Sequence, residues 1–338
     1  MRSPGLVDLQ VNGFAGVDFN DAALTAQALD HALEAMLATG VTTCLPTLIT
    51  GTPDDLAARF AALDRAVATS RLGPLMCPGY HLEGPFLNPA PGFRGCHPFE
   101  AMIAPDAALV ARLAAGLKRP ILLVTCAPER EGGLDFVRAM HAQGRAISIG
   151  HSEVTFELAR AAADAGATMS THLGNGLPQQ MHKLANSMFA QLAEDRLWGC
   201  FIADGIHLPP LALKSLLRAK GLARSVLVTD AVAGAAAPPG LYGFAGMTVE
   251  RDATGAIRLP DTQTLAGSAL TLDQAVRNVI DWGFATREEA LAMASAHPLA
   301  AIADALRAHG VAPAPGETTW REDMKVARAR VGDVEREF

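Results

Sequence analysis

Eight short apolar runs, each set off from the next by a longer stretch, constrain this chain more than any other feature. They are Leu6 to Val11, Val41 to Ile49, Pro74 to Glu83, Pro120 to Cys126, Ala146 to His151, Ala167 to His172, Trp198 to Ala203 and Ser225 to Asp230. Short apolar runs of this kind read as strands. Between them lie Ala- and Leu-rich stretches with helical spacing: Thr25 to Thr39, Pro53 to Thr69, Leu134 to Gln143, Thr155 to Ala165 and Pro210 to Lys220. Strands that alternate with helices make a parallel sheet, and eight such units close into a (β/α)8 TIM barrel. The third-to-fourth connection is less regular. At 338 residues a folded chain buries about three quarters of its unfolded surface, enough for one large domain. Residues 1–310 are assigned to the barrel. Within them a hairpin is expected around Met247 to Leu259, followed by helices over Leu270 to Trp282 and Arg287 to Ala305. Residues 311–338, Pro-rich and then charged, are taken as a peripheral C-terminal tail on which no structure is imposed.

In a barrel of this kind chemistry sits where strands end and the following loops begin. Four of the runs end on Glu83, His151, His172 and Asp230. Imidazole and carboxylate are the usual ligands of hydrolytic zinc sites, which keep one position open for water. Glu83 by itself would serve equally as an ion-pair partner; the company it keeps points to a metal centre. His81 shares its strand face with Glu83, and is read as a buried, hydrogen-bonded supporting residue.

Bulk properties exclude several classes. A net charge of -7 and an isoelectric point near 5.8 leave no basic footprint for nucleic acid or an anionic membrane. No apolar run approaches the ~18 residues of a membrane span, and Asp8, Gln10 and Asn12 stand where a signal peptide would be apolar. A cytoplasmic protein is expected. Five cysteines without a Cys-x-x-Cys pair argue against a disulfide framework. Cys44, Cys77, Cys126 and Cys200 read as small core residues, and no base is identifiable that would make Cys96 a nucleophile.

The segments His81-Leu-Glu-Gly-Pro-Phe-Leu-Asn-Pro89 and Gly95-Cys-His-Pro98 carry a sharper signal. With Gly5 to Gly13, Gly150-His-Ser152, Ser170 to Asn175, Asp204-Gly-Ile-His207, Val228 to Ala231 and Leu265 to Ala269, they resemble the N-acetylglucosamine-6-phosphate deacetylase family of the amidohydrolase superfamily. The resemblance runs in family order from residue 5 to about 300. It implies that Glu83, His151 and His172 hold one divalent metal ion, usually zinc, and that Asp230 is the catalytic acid/base. His97 would act near the scissile carbonyl and His207 on the sugar of a small N-acyl amino-sugar substrate, with Asn175 and Gly176 supplying backbone contacts to its phosphate. Outside the resemblance, Lys183 is read as a substitute cation for that phosphate, and Gln10 as a substrate contact or an ordinary strand-end amide. Gln10 and Asn12 replace the His-x-His of many amidohydrolases, which favours a mononuclear site. The resemblance also suggests a homodimer.

The sequence departs from the family in three ways. The accessory β-sandwich is expected to be absent or vestigial, because the chain begins almost at the first barrel strand. After His172 the loop reads Leu-Gly-Asn-Gly-Leu-Pro-Gln-Gln-Met-His-Lys183, without the arginine that in the family is lent by a neighbouring subunit to the 6-phosphate. Gly174 stands in place of an aromatic residue. The expected activity is deacetylation of N-acetylglucosamine-6-phosphate. The alternatives are the same fold acting on another, unphosphorylated N-acyl substrate, and a catalytically silent sugar-binding protein.

Overall fold

The computed structural model of the chain describes residues 1–338. Eight parallel strands stand side by side in sequence order: Leu6–Val11, Val41–Ile49, Tyr80–Glu83, Ile121–Cys126, Ala146–Ile149, Met169–Ser170, Trp198–Phe201 and Ser225–Leu227. All nine residues of the second strand are buried, as a strand between an inner core and an outer helix ring must be. The first and last strands meet just beyond their ends, where Asp230 N–H donates to Gln10 O at 2.9 Å and Asn12 N–H to Ala231 O at 2.7 Å. That seam nearly closes the barrel, and it brings Gln10, Asn12 and Asp230 together.

The helices begin where capping chemistry starts them. Thr25 caps Ala26–Ala38, Thr155 caps Phe156–Asp164, and Thr52 forms a reciprocal capping box with Asp55 at the start of Pro53–Thr69, each satisfying otherwise orphaned backbone N–H groups. Helices Gly133–Ala142 and Pro210–Lys220 also fall where their spacing places them. Two short helices were not expected, Ala107–Ala114 capped by Asp106 and Ser187–Ala193 capped by Asn186; two turns are too few for a periodic pattern to emerge. The first half of the run Pro74 to Glu83 is not strand. Gly73–Met76 forms a helical turn with proline in its first turn, and the strand starts only at Tyr80. No helix is long and apolar enough to cross a membrane.

Residues 311–338 require a correction. They are not an unstructured tail: Gly316–Trp320, Val326–Val331 and Val334–Glu337 form an antiparallel sheet with Arg2–Pro4. Val326, Ala329 and Val331 are buried while Arg328 and Arg330 face solvent, so one face supplies the charge that gave the segment its peripheral look. This single four-stranded sheet is the accessory part. A second small sheet, Gly240–Phe244, Met247–Arg251 and Ile257–Arg258, contains the expected hairpin and extends it by one strand. Its Phe244, Val249 and Ile257 pack with Ile49 and Val232, which anchors it beside the mouth of the barrel.

Candidate active site

The expected site residues other than Lys183 converge on this mouth. Glu83 ends the third strand, whereas His151, His172 and Asp230 lie two or three residues past the ends of theirs, which stop at Ile149, Ser170 and Leu227. The reason is conformational. His151, His172 and Asp230 have φ of 51°, 27° and 51°, three of only eight non-glycine residues in the chain with positive φ. Such a backbone costs of order 1–3 kcal/mol per residue and persists where surrounding structure imposes it, commonly at functional sites.

Three ligand-type atoms meet. Glu83 Oε1 lies 3.1 Å from His172 Nε2 and 3.5 Å from His151 Nε2, and the two Nε2 atoms are 3.1 Å apart. His151 Nδ1 lies 2.6 Å from Phe93 O. A carbonyl only accepts, so Nδ1 carries the proton and Nε2 keeps its lone pair for the cluster. A tetrahedral ion with bonds of ~2.1 Å spaces its ligands ~3.4 Å apart, close to these separations. Glu83, His97 and His151 also offer ligand atoms within 4.8 Å of one another, a looser group that overlaps the first. A divalent metal fits here. Burial opposes ionisation of Glu83, but the imidazoles of His151 and His172 beside it hold its carboxyl well below the usual range.

Asp230 faces this group. Its Oδ1 accepts from Asn12 Nδ2 at 2.7 Å and from Gln10 Nε2 at 3.2 Å. Burial, and then the charge of Glu83, raise its carboxyl to about 6. Gln10 Nε2 also donates to Glu83 Oε1 at 3.0 Å, so this amide is committed to holding two carboxylates apart. His97 places Nδ1 2.8 Å from Thr50 Oγ1; burial, and then His151, lower its pKa to about 3. His207 is held through Nδ1 by Asp204 Oδ2 at 2.6 Å, and Asp204 Oδ1 also accepts the N–H groups of Ile206 and His207. Asn175 folds back onto His172 O through its backbone and side-chain N–H groups, and Gly176 lies against the His151 ring.

Below the mouth the barrel interior is polar. His81 reaches Leu9 O and Thr125 Oγ1, and burial lowers its pKa to about 4, consistent with a supporting role. Thr125, Thr171 and Ser148 continue the chain of hydrogen bonds.

Around the cluster is a cavity of about 560 Å³ lined by Glu83, His97, His151, His172, Asn175, Gly176, His207 and Asp230, the size of a small-molecule site. Lys183 is not brought there: it is exposed and outside the lining. Cys96 does line it, but burial pushes its thiol up to about 12, which leaves it protonated. Sequence reasoning passed over Arg94, which also lines the cavity, and the partners Thr50 and Phe93 O; the motif Asp204-Gly-Ile-His207 held the one available signal for the Asp204 contact.

Relatives share this architecture. The chain is 37% identical over 297 residues to an N-acetylgalactosamine-6-phosphate deacetylase of Escherichia coli O157:H7, covering 87% of this chain and 76% of that one. It is 31% identical over 294 residues to an N-acetylglucosamine-6-phosphate deacetylase of Lysinibacillus sphaericus, covering 86% and 74%. The crystal structure of N-acetylglucosamine-6-phosphate deacetylase from Pasteurella multocida superimposes with a TM-score of 0.86 at 26% identity, covering all of this chain and 86% of that one. That from Mycobacterium smegmatis does so with 0.83 at 28%, covering 98% and 86%. No protein-family model matches the sequence.

Proposed function

Since the chain belongs to the N-acetylglucosamine-6-phosphate deacetylase family, we propose that it hydrolyses the amide of an N-acetylated amino-sugar 6-phosphate to acetate and the free amine. N-acetylglucosamine-6-phosphate is the first substrate to test. The relative at 37% identity is named for the galactosamine epimer, so that sugar belongs in the same test.

The observation that carries the reading is the meeting of Glu83 Oε1, His151 Nε2 and His172 Nε2 at 3.1 to 3.5 Å, with Asp230 held opposite them. We assign these three as ligands of one divalent ion and name zinc from the ligand set, two imidazoles and a carboxylate. Such an ion supplies Lewis acidity toward the amide carbonyl and lowers the pKa of water from ~16 toward ~7. Asp230 takes the proton that water loses as its oxygen bonds to the carbonyl carbon. It returns that proton to the nitrogen as the C–N bond breaks, since an amide nitrogen must leave as the amine. A carboxyl at about 6 is placed for both halves of that exchange. His97, with Nδ1 turned to the Thr50 hydroxyl, keeps its proton on Nε2 and from there donates a hydrogen bond to the carbonyl oxygen as negative charge develops on it. His207, steadied by Asp204, contacts the sugar, and the Asn175–Gly176 turn receives the phosphate. The exposed apolar side chains Phe156, Leu184 and Phe189, which lie around one cavity, favour a homodimer.

Zinc-loaded protein should release amine from at least one of the two 6-phosphates, lose that activity to a chelator and regain it with zinc. Release from neither, with metal bound, would assign the site to another N-acyl substrate.

A further inference from the structure

We propose that Arg94 is the phosphate-recognising cation of this site and so sets its preference for phosphorylated over free amino sugars; the inference rests on the deacetylase reading above. Two carboxylates and four imidazoles line the cavity, and Arg94 is its single permanent cation. A phosphate monoester carries about -1.5 to -2 charges near neutral pH, and a cavity holding Glu83 and Asp230 needs a compensating charge to admit it.

Arg94 is half-buried, and its guanidinium makes no ion pair or hydrogen bond within the chain; it stands 5.6 Å from the Phe99 ring centroid. Arg196, the first arginine after His172, is by contrast already held by Glu194 and Asp164. The free guanidinium is therefore available for a bidentate contact with an anion, a geometry that a lysine does not offer.

Its placement supports the role. Phe93 O accepts from His151 Nδ1 at 2.6 Å, and a Cβ on Gly95 would lie 3.3 Å from His151 Cε1. Arg94 is thus flanked by two residues packed on the His151 ring. A Cβ on Gly176 would lie 2.7 Å from Nδ1 of the same ring, and one on Gly92 would lie 2.6 Å from Pro178, so the two loops pack on each other and on one imidazole. The Gly176 N–H has no acceptor in the chain. Arg94 and the free Gly176 N–H thus line one cavity with the metal group, on two loops of the same subunit.

The test compares kcat/KM for the 6-phosphates with kcat/KM for free N-acetylglucosamine and N-acetylgalactosamine, in wild type, Arg94→Ala and Arg94→Lys. The phosphorylated-to-free ratio should fall about ten- to hundredfold in Arg94→Ala, the scale of a lost charge-assisted pair, mainly through KM. Arg94→Lys should recover part of it. Calorimetric titration of the metal-loaded proteins with inorganic phosphate should show the same ordering. An unaltered ratio in Arg94→Ala, an equal loss on phosphorylated and free sugars, or equal phosphate affinity in all three proteins would overturn the assignment. Wild type that turns over neither sugar phosphate would overturn the deacetylase reading, and the phosphate titration would still decide the role of Arg94.

Discussion

Replacing Asp230 with Asn separates chemistry from structure at this site. Asp230 Oδ1 accepts from Asn12 Nδ2 at 2.7 Å and Gln10 Nε2 at 3.2 Å, and an amide oxygen in the same place can accept both. The residue sits at φ 51°, a region that Asn tolerates as well as Asp does. Glu83, His151 and His172 are untouched, so the fold and the metal content should survive. What is lost is the group that accepts and returns a proton. General acid–base catalysis contributes about a hundred- to ten-thousandfold, or about 3–5 kcal/mol of barrier. The assay is kcat on the 6-phosphate substrate, with metal content by elemental analysis and the melting temperature measured on the same preparations. A rate reduced by that factor, with metal bound and melting little altered, is expected. A rate within about threefold of wild type, with metal bound, would remove Asp230 from the mechanism.

Gly176→Ala places a Cβ 2.7 Å from His151 Nδ1 on a backbone with φ 62°; it should cost about 1–3 kcal/mol of stability and weaken metal affinity, both measurable by melting and metal titration. Asn12→Ala removes a hydrogen bond that lowers the Asp230 pKa, so that pKa should rise and the acidic limb of the pH–rate profile should move to higher pH; a limb that stays in place would disprove the coupling. Burial raises Asp8 from 3.8 to about 7, so between those values the folded chain holds a proton that the unfolded chain has lost. Stability should therefore fall as pH rises from about 4 to 7, by at most about 4 kcal/mol at 1.36 kcal/mol per unit. Urea midpoints of wild type and Asp8→Asn, compared across that range, should diverge toward high pH in favour of the variant.

Much of the fold was legible because the barrel strands fall within short, mostly apolar runs separated by helical spacing, and the site because its ligand types stand at the ends of those runs. Periodicity did not reveal that the strands stop short of His151, His172 and Asp230, since their left-handed backbone is imposed by the tertiary surroundings. The C-terminal sheet escaped notice because Arg2–Pro4 pairs with Gly316–Trp320, a partnership across nearly the whole chain, and because its exposed face is charged. Arg94 was missed for a related reason. It lies in a loop without periodic pattern, and only the packing of Gly95 and Gly176 on one imidazole brings it into the cavity, whereas Lys183, nearer in sequence to His172, turns out exposed.

The central claim is that one divalent ion, held by Glu83, His151 and His172, supports the hydrolysis. Metal-free wild type, His172→Ala and His97→Ala should be titrated with zinc while bound metal and amine release from the 6-phosphate substrate are followed together. The account predicts one tightly bound ion per chain in wild type, activity that saturates at that ratio, tight binding kept by His97→Ala and lost by His172→Ala. Tight binding that survives in His172→Ala and disappears in His97→Ala would contradict it and move the ion to the looser group of Glu83, His97 and His151.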